Sequence, residues 1–267
     1  MTRKLLSIVL LLLYTTQLVS ASERDSTLVV KVFNHGLNDT KNLFLSPSKW
    51  DKTDWLIAGS ASAATAALVL WADQPVYDYM NTLHTPNRDL FFKNTEPLGN
   101  YYPFALMGAT LLTGVISKNN YHVETSFIAA ESYLLTGLLA QLAKTTIGRS
   151  RPNDQGTTDP HQWNGPFFKG NSFFSGHTST VFAVASVYAW RYKETVWVPV
   201  LSYGLATLGG LERIYDNRHW SSDVLMGAVV GTATGLFLCK QWEKESIRFF
   251  PVANMGGAGL SMVIPIQ

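Results

Sequence analysis

The run VLMGAVVGTATGLFLC, Val224 to Cys239, carries no charge and spaces Gly227, Gly231 and Gly235 four residues apart. In a helix those glycines fall on one smooth stripe, against which a second helix can pack closely. A strand is excluded by the length of the run and its weighting toward Ala and Leu. Five earlier stretches have the same character: Trp55–Trp71, Tyr102–Ile116, Ser126–Ala143, His177–Trp190 and Val196–Leu211. The expected fold class is all-α, a bundle of six apolar helices over residues 55–240, embedded in a membrane.

Composition supports this. Hydrophobic residues make up 46% of the 267-residue chain and charged residues 15%, against about 25% charged in a typical soluble domain. The formal charge of +2 leaves no broad basic surface for nucleic acid. A single cysteine, Cys239, excludes an intrachain disulfide and a thiolate metal site, and reads as a small buried hydrophobe. Nothing in the sequence sets an oligomeric state.

The ends differ from the middle. MTRKLLSIVLLLLYTTQLVSA (1–21) has Arg3 and Lys4 before a short apolar core and a small-x-small cleavage pattern at Val19-Ser20-Ala21. It reads as a secretory signal peptide, with an uncleaved anchor as the alternative. The expected location is the cell envelope: a membrane with the site facing the periplasm, or the soluble periplasm. Residues 22–54 read as a polar N-terminal arm. Residues 241–267 read as a tail with two extended pieces around a Gly-Gly turn, a short β-hairpin.

A membrane span needs about 20 apolar residues, which the first, second, fifth and sixth segments approach. The third contains Glu131 and Gln141, and Pro199 is expected to bend the fifth. An exported N-terminus with six spans would put the loops after segments one, three and five in the cytoplasm. Lys and Arg are not concentrated there, so export and six spans conflict. Asn171 or Ser172 is the expected cap of the fourth helix, and Asp216 or Asn217 that of the sixth.

Three polar islands interrupt the apolar pattern. KTTIGRSRP places Lys144, Arg149 and Arg151 on a bent segment between Gly148 and Pro152, suited to wrapping an oxyanion. NSFFSGHTST opens a helix at Ser175-Gly176-His177, where backbone N–H groups and the helix dipole favour an anion. RIYDNRHWSSD puts His219 four residues before Asp223 and six after Arg213. One helical turn apart, Asp223 can fix the imidazole tautomer and leave its other nitrogen nucleophilic. Each pattern alone is also that of a helix cap or a solvated helix end. Together they meet the needs of phosphoryl transfer through a phosphohistidine: cations for the equatorial oxygens, one histidine to attack and one to protonate the leaving oxygen. No Asp/Glu cluster suited to magnesium or calcium stands beside them, so the expected site uses no metal and no cofactor.

Taken in order, Lys-x6-Arg-Pro, Ser-Gly-His and Arg-x5-His-x3-Asp resemble the three motifs of the type-2 phosphatidic acid phosphatase superfamily. That superfamily includes lipid phosphate phosphatases, class A acid phosphatases, glucose-6-phosphatase and vanadium haloperoxidases. The resemblance implies a helical bundle with the site at one end. It assigns Lys144, Arg151 and Arg213 to phosphate binding, helped by the Ser175 hydroxyl and the Gly176 N–H. It makes His219 the nucleophile, His177 the general acid and Asp223 the partner of His219. Two residues depart from the pattern: Phe174 replaces the usual proline and Glu212 the usual serine. The expected activity is metal-independent hydrolysis of a phosphomonoester or pyrophosphate, of a lipid in preference to a soluble ester. The alternatives are a soluble periplasmic acid phosphatase, a vanadium-dependent haloperoxidase and a non-catalytic lipid-binding bundle.

Overall fold

The structure, a computed structural model, describes residues 36–153, 158–167 and 170–244, with the backbone of two strands beyond them. The signal-peptide reading of residues 1–21 lies outside the described residues. Residues 43–245 form one compact unit, and residues 1–42 with 246–267 form another. In the second unit Arg248–Asn254 (β1) and Gly257–Val263 (β2) pair antiparallel, from Arg248 opposite Val263 to Asn254 opposite Gly257.

The larger unit is helical. Its elements are Lys52–Thr82 (α1), Pro86–Thr95 (α2), Pro97–Asn100 (α3), Tyr102–Ser117 (α4), Asn120–Ile147 (α5), Gly176–Arg191 (α6), Trp197–Tyr215 (α7) and Ser221–Lys244 (α8). All six apolar segments of the sequence fall in helices, each of which runs past the C-terminal end of its apolar run. A capping box starts α1: Asp54 N–H donates to Asp51, and Asp51 N–H donates back to Asp54. A π turn at Leu68–Ala72 interrupts α1 just before Asp73. The polar stretch containing α2 and α3 carries no apolar period, and its helices start instead at Pro86 and Pro97, where a missing N–H costs nothing. Pro199 likewise sits in the first turn of α7.

Two expected caps are corrected. Ser175, not Asn171 or Ser172, caps α6 by accepting from Thr178 N–H. The sixth helix starts at Ser221, not near Asn217, because Asn217 takes a left-handed turn (φ 54°) and the Asp223 carboxylate accepts from Trp220 N–H.

Helix α6 is the centre of the bundle. Its Val184, Val187 and Tyr188 pack with Met107 of α4, Ile128, Ala129 and Leu135 of α5, and Leu238 and Cys239 of α8. On its other side Val181 and Ala185 meet Ala206 of α7. The glycine stripe sets the α6–α8 distance. A Cβ added at Gly231 would lie 2.1 Å from the Ser179 carbonyl oxygen, and one at Gly235 would lie 2.5 Å from that of Ala183. Small residues let the two backbones touch.

Among the described residues three helices are long and apolar enough to cross a membrane: α1, α5 and α8; α4 is a shorter apolar helix. The third segment therefore qualifies despite Glu131, whose carboxylate accepts from the Trp242 indole inside the bundle. The fifth is not among them; α7 carries Glu212 and Arg213 in its last turn. In α1 only 6% of the apolar window is buried, against 44% in α8, so Trp55, Leu56, Ile57, Leu70 and Trp71 present an open apolar face.

Candidate active site

The end of α5, the start of α6, the end of α7 and the start of α8 lie at one end of the bundle. Lys144 stands in the last turn of α5, which Gly148 ends in the left-handed conformation (φ 63°). A Cβ at Gly148 would come 2.3 Å from the Gly165 carbonyl oxygen, so only glycine fits. The chain then turns through Arg149 to Arg151, whose Nε donates to Asn171 Oδ1 at 2.7 Å. Lys144 Nζ lies 3.4 Å from where a Cβ of Gly176 would stand, which sets the ammonium against the first residue of α6.

The loop carrying His219 is tied to Arg213. Both Arg218 N–H and His219 N–H donate to the Arg213 carbonyl, at 3.0 and 3.2 Å. His219 is almost fully buried. Its Nδ1 is 3.6 Å from Asp223 Oδ2 and 3.4 Å from Ser172 Oγ, and the Ser172 hydroxyl donates to the same Oδ2 at 2.5 Å. His219 precedes α8, so the two side chains do not share a helix face as the sequence suggested. The carboxylate nevertheless sits behind Nδ1, at a distance longer than a made hydrogen bond, and leaves Nε2 as the ring's outer nitrogen.

His177, in the first turn of α6, has Nε2 2.6 Å from Asn100 Oδ1. A carbonyl oxygen accepts, so this contact places the ring hydrogen on Nε2. Burial, then the charges of Arg213, His219, Lys144 and Arg151, push His177 down to about 3. Burial pushes His219 down to about 4, opposed by Asp223 and reinforced by Lys144 and Arg151. Both rings feel the same cations because the three islands converge.

Arg213 is buried, and its Nε donates to Glu212. Among the described residues its Nη2 has no hydrogen-bond partner, and Glu96 Oε1 stands 3.8 Å away. Glu212 therefore pairs with Arg213, and burial raises its carboxyl pKa. Where Phe174 replaces proline, the turn is anchored by Ser175 N–H donating to the Asp223 carbonyl at 3.0 Å.

Two residues take structural roles instead of anion contacts. The Ser175 hydroxyl is fully buried and engaged with Thr178, as a cap. Arg149 spends its donors on Pro160 O, Ser222 Oγ, Asp223 Oδ1 and Asp73 Oδ2, and none is left for an anion. The sequence reading missed Asp73 and Asn100, and took Ser172 only for a cap. Nothing in their local patterns marks them, because their partners are 47 to 149 residues away along the chain.

A family model, that of the PAP2 superfamily, matches residues 125–247. The match covers less than half of the chain. That span holds all three islands. A lipid A 1-phosphatase of Porphyromonas gingivalis is 39% identical over 102 residues, which are 38% of this chain and 20% of that protein. The chain thus matches only a fifth of that relative's length. The crystal structure of LpxE from Aquifex aeolicus is similar with TM-score 0.50 and 25% identity, over 63% of this chain and 94% of the other. That of a transmembrane PAP2-type phosphatidylglycerolphosphate phosphatase from Bacillus subtilis gives TM-score 0.53 at 19% identity, over 70% and 94%. The second likeness concerns fold alone. It supports the helical-bundle fold and does not extend to the C-terminal strand pair.

Proposed function

We propose that the protein is a metal-independent phosphatase that releases phosphate from a lipid phosphomonoester or pyrophosphate through a phosphohistidine at His219. The observation carrying this reading is the meeting of His177, His219, Lys144, Arg151 and Arg213 at one end of the bundle, with Asp223 behind His219 Nδ1. His219 Nε2 forms a bond to phosphorus while the bond to the lipid oxygen breaks in line. That oxygen takes the proton from His177. Water then loses a proton to His177 and attacks phosphorus, the P–N bond breaks, and inorganic phosphate leaves. Lys144, Arg151 and Arg213 hold the equatorial oxygens.

With a pKa near 3, His177 is neutral in the free protein. A phosphate dianion beside it offsets the surrounding cations and favours the imidazolium. The general acid is then charged only when substrate is bound.

A lipid substrate is supported by the open apolar face of α1 and by the membrane-length helices around the site. The Porphyromonas gingivalis relative bears the name of a lipid A 1-phosphatase. The site is read as facing the periplasm.

Phosphate release from phosphatidic acid, phosphatidylglycerol phosphate, an isoprenyl pyrophosphate, lipid A and soluble esters, with and without EDTA, tests the reading. At least one lipid is expected to outpace every soluble ester, with EDTA harmless and vanadate inhibitory. Loss of activity with EDTA, or a preference for soluble esters, contradicts it.

A further inference from the structure

We propose that Asp73, far from the three islands in sequence, is a positioning residue: through Arg149 and the first turn of α8 it fixes the Asp223 carboxylate behind His219. The inference rests on the reading of His219 as the attacking group.

Asp73 follows the apolar run of α1 and is 1% exposed. A buried carboxylate is unfavourable unless its oxygens are satisfied. Here both are. Oδ1 accepts from Ser221 Oγ at 2.6 Å and Ser222 N–H at 2.9 Å. Oδ2 accepts from Ser222 Oγ at 2.5 Å and Arg149 Nη2 at 2.7 Å. The negative charge therefore sits on the N-terminus of α8, where the helix dipole favours it. The π turn at Leu68–Ala72 directly precedes Asp73, and such turns re-aim the next side chains.

Arg149 carries this anchor to the site. Its guanidinium is fully buried, with Trp163 and Trp220 rings 4.7 and 5.5 Å away. One arm holds Asp73 and the other holds Asp223 Oδ1 at 2.7 Å. With Oδ1 fixed there, and Oδ2 held by Ser172 Oγ and Trp220 N–H, the carboxylate cannot rotate away from His219 Nδ1. A planar fork gripping two carboxylates from opposite sides sets direction as well as distance. A charge partner serving stability alone would not need to reach Asp223.

The test compares wild type with Asp73→Asn, purified in detergent. Asparagine keeps an acceptor for α8 and removes the charge that orients Arg149. The expected result is a kcat lower by at least tenfold, with KM changed less than threefold. Arg149→Met combined with Asp73→Asn should cost no more than the worse single change, because both act through one clamp. Selective 15N-histidine NMR, with His219→Gln to assign the signal, reads the ring without turnover. Wild type should hold the proton on Nδ1, and Asp73→Asn should shift His219 toward a tautomer mixture. An unchanged His219 ring signal, or a kcat within twofold of wild type, overturns the clamp while leaving the phosphatase reading standing. A wild type inactive on every phosphate overturns that reading, and the ring signal still decides the clamp. If Asp73→Asn does not fold, Ser222→Ala decides: a shifted His219 signal supports the clamp and an unshifted one ends it.

Discussion

Replacing Gly231 by alanine tests whether the glycine stripe of α8 positions the end of α6 that carries His177. The new Cβ would stand 2.1 Å from the Ser179 carbonyl oxygen, where close carbon–oxygen contacts need about 3.3 Å. Helices α6 and α8 must then part by roughly 1.2 Å, a shift that neither backbone absorbs by changing a rotamer. Overpacking of this kind costs about 1–3 kcal/mol, which for a chain of this size lowers Tm by about 5 °C. The larger effect falls on turnover. Ser179 is one half-turn beyond His177, and α8 begins beside His219, so the displacement separates the two imidazoles that the proposed mechanism uses. Misplacement by about 1 Å can cost on the order of 100-fold in rate. Gly108→Ala is the control, because a Cβ there meets nothing within 4 Å. Both variants would be measured in detergent for Tm and for phosphate release. Gly231→Ala with a Tm and kcat matching those of Gly108→Ala would refute the packing argument.

Three further outcomes follow from the site. His177→Ala should lose about 100-fold or more on a lipid phosphate yet far less on p-nitrophenyl phosphate, whose leaving group needs no proton; equal losses would remove His177 as the acid. Glu212→Gln takes a carboxylate off Arg213 and frees its charge for phosphate, so KM should fall by about threefold to tenfold. A raised KM would show that Glu212 orients Arg213 instead. The depressed pKa values of His177 and His219 mean that the unfolded chain binds more protons as pH falls below about 6.5. Their contribution to stability is complete above that pH and is lost toward about 4 for His219 and about 3 for His177. Tm measured from pH 8 to 4 should therefore drop less steeply in His219→Gln than in wild type, and parallel curves would contradict the assignment.

The six apolar runs were legible because each is long and almost free of charge, whether it packs into the core as Val184, Val187 and Tyr188 of α6 do or stays largely open as α1 does. The candidate site was legible in part: Lys144, His177, Arg213, His219 and Asp223 gather at one end of the bundle, although His219 reaches Asp223 from the loop before α8 and not from a shared helix face. Helix ends were less so. Ser175 outcompetes Ser172 as the α6 cap because Ser172 is drawn to Asp223, a partner 51 residues away. Arg149 looked like an anion ligand beside Arg151, but its fork is claimed by carboxylates from α1 and α8. Asp73 gave no signal, since a lone acid after an apolar run usually marks a solvated helix end. Long-range polar pairing is invisible to local pattern, and here it organises the site.

A phosphoenzyme measurement tests the central claim most directly. Wild-type protein mixed with 32P-labelled lipid phosphate and quenched within milliseconds should carry label that is stable to base and labile to acid, located by peptide mapping at His219. His219→Ala should carry none. Label on another residue, or a His219→Ala variant that still turns over within tenfold of wild type, would contradict the phosphohistidine account.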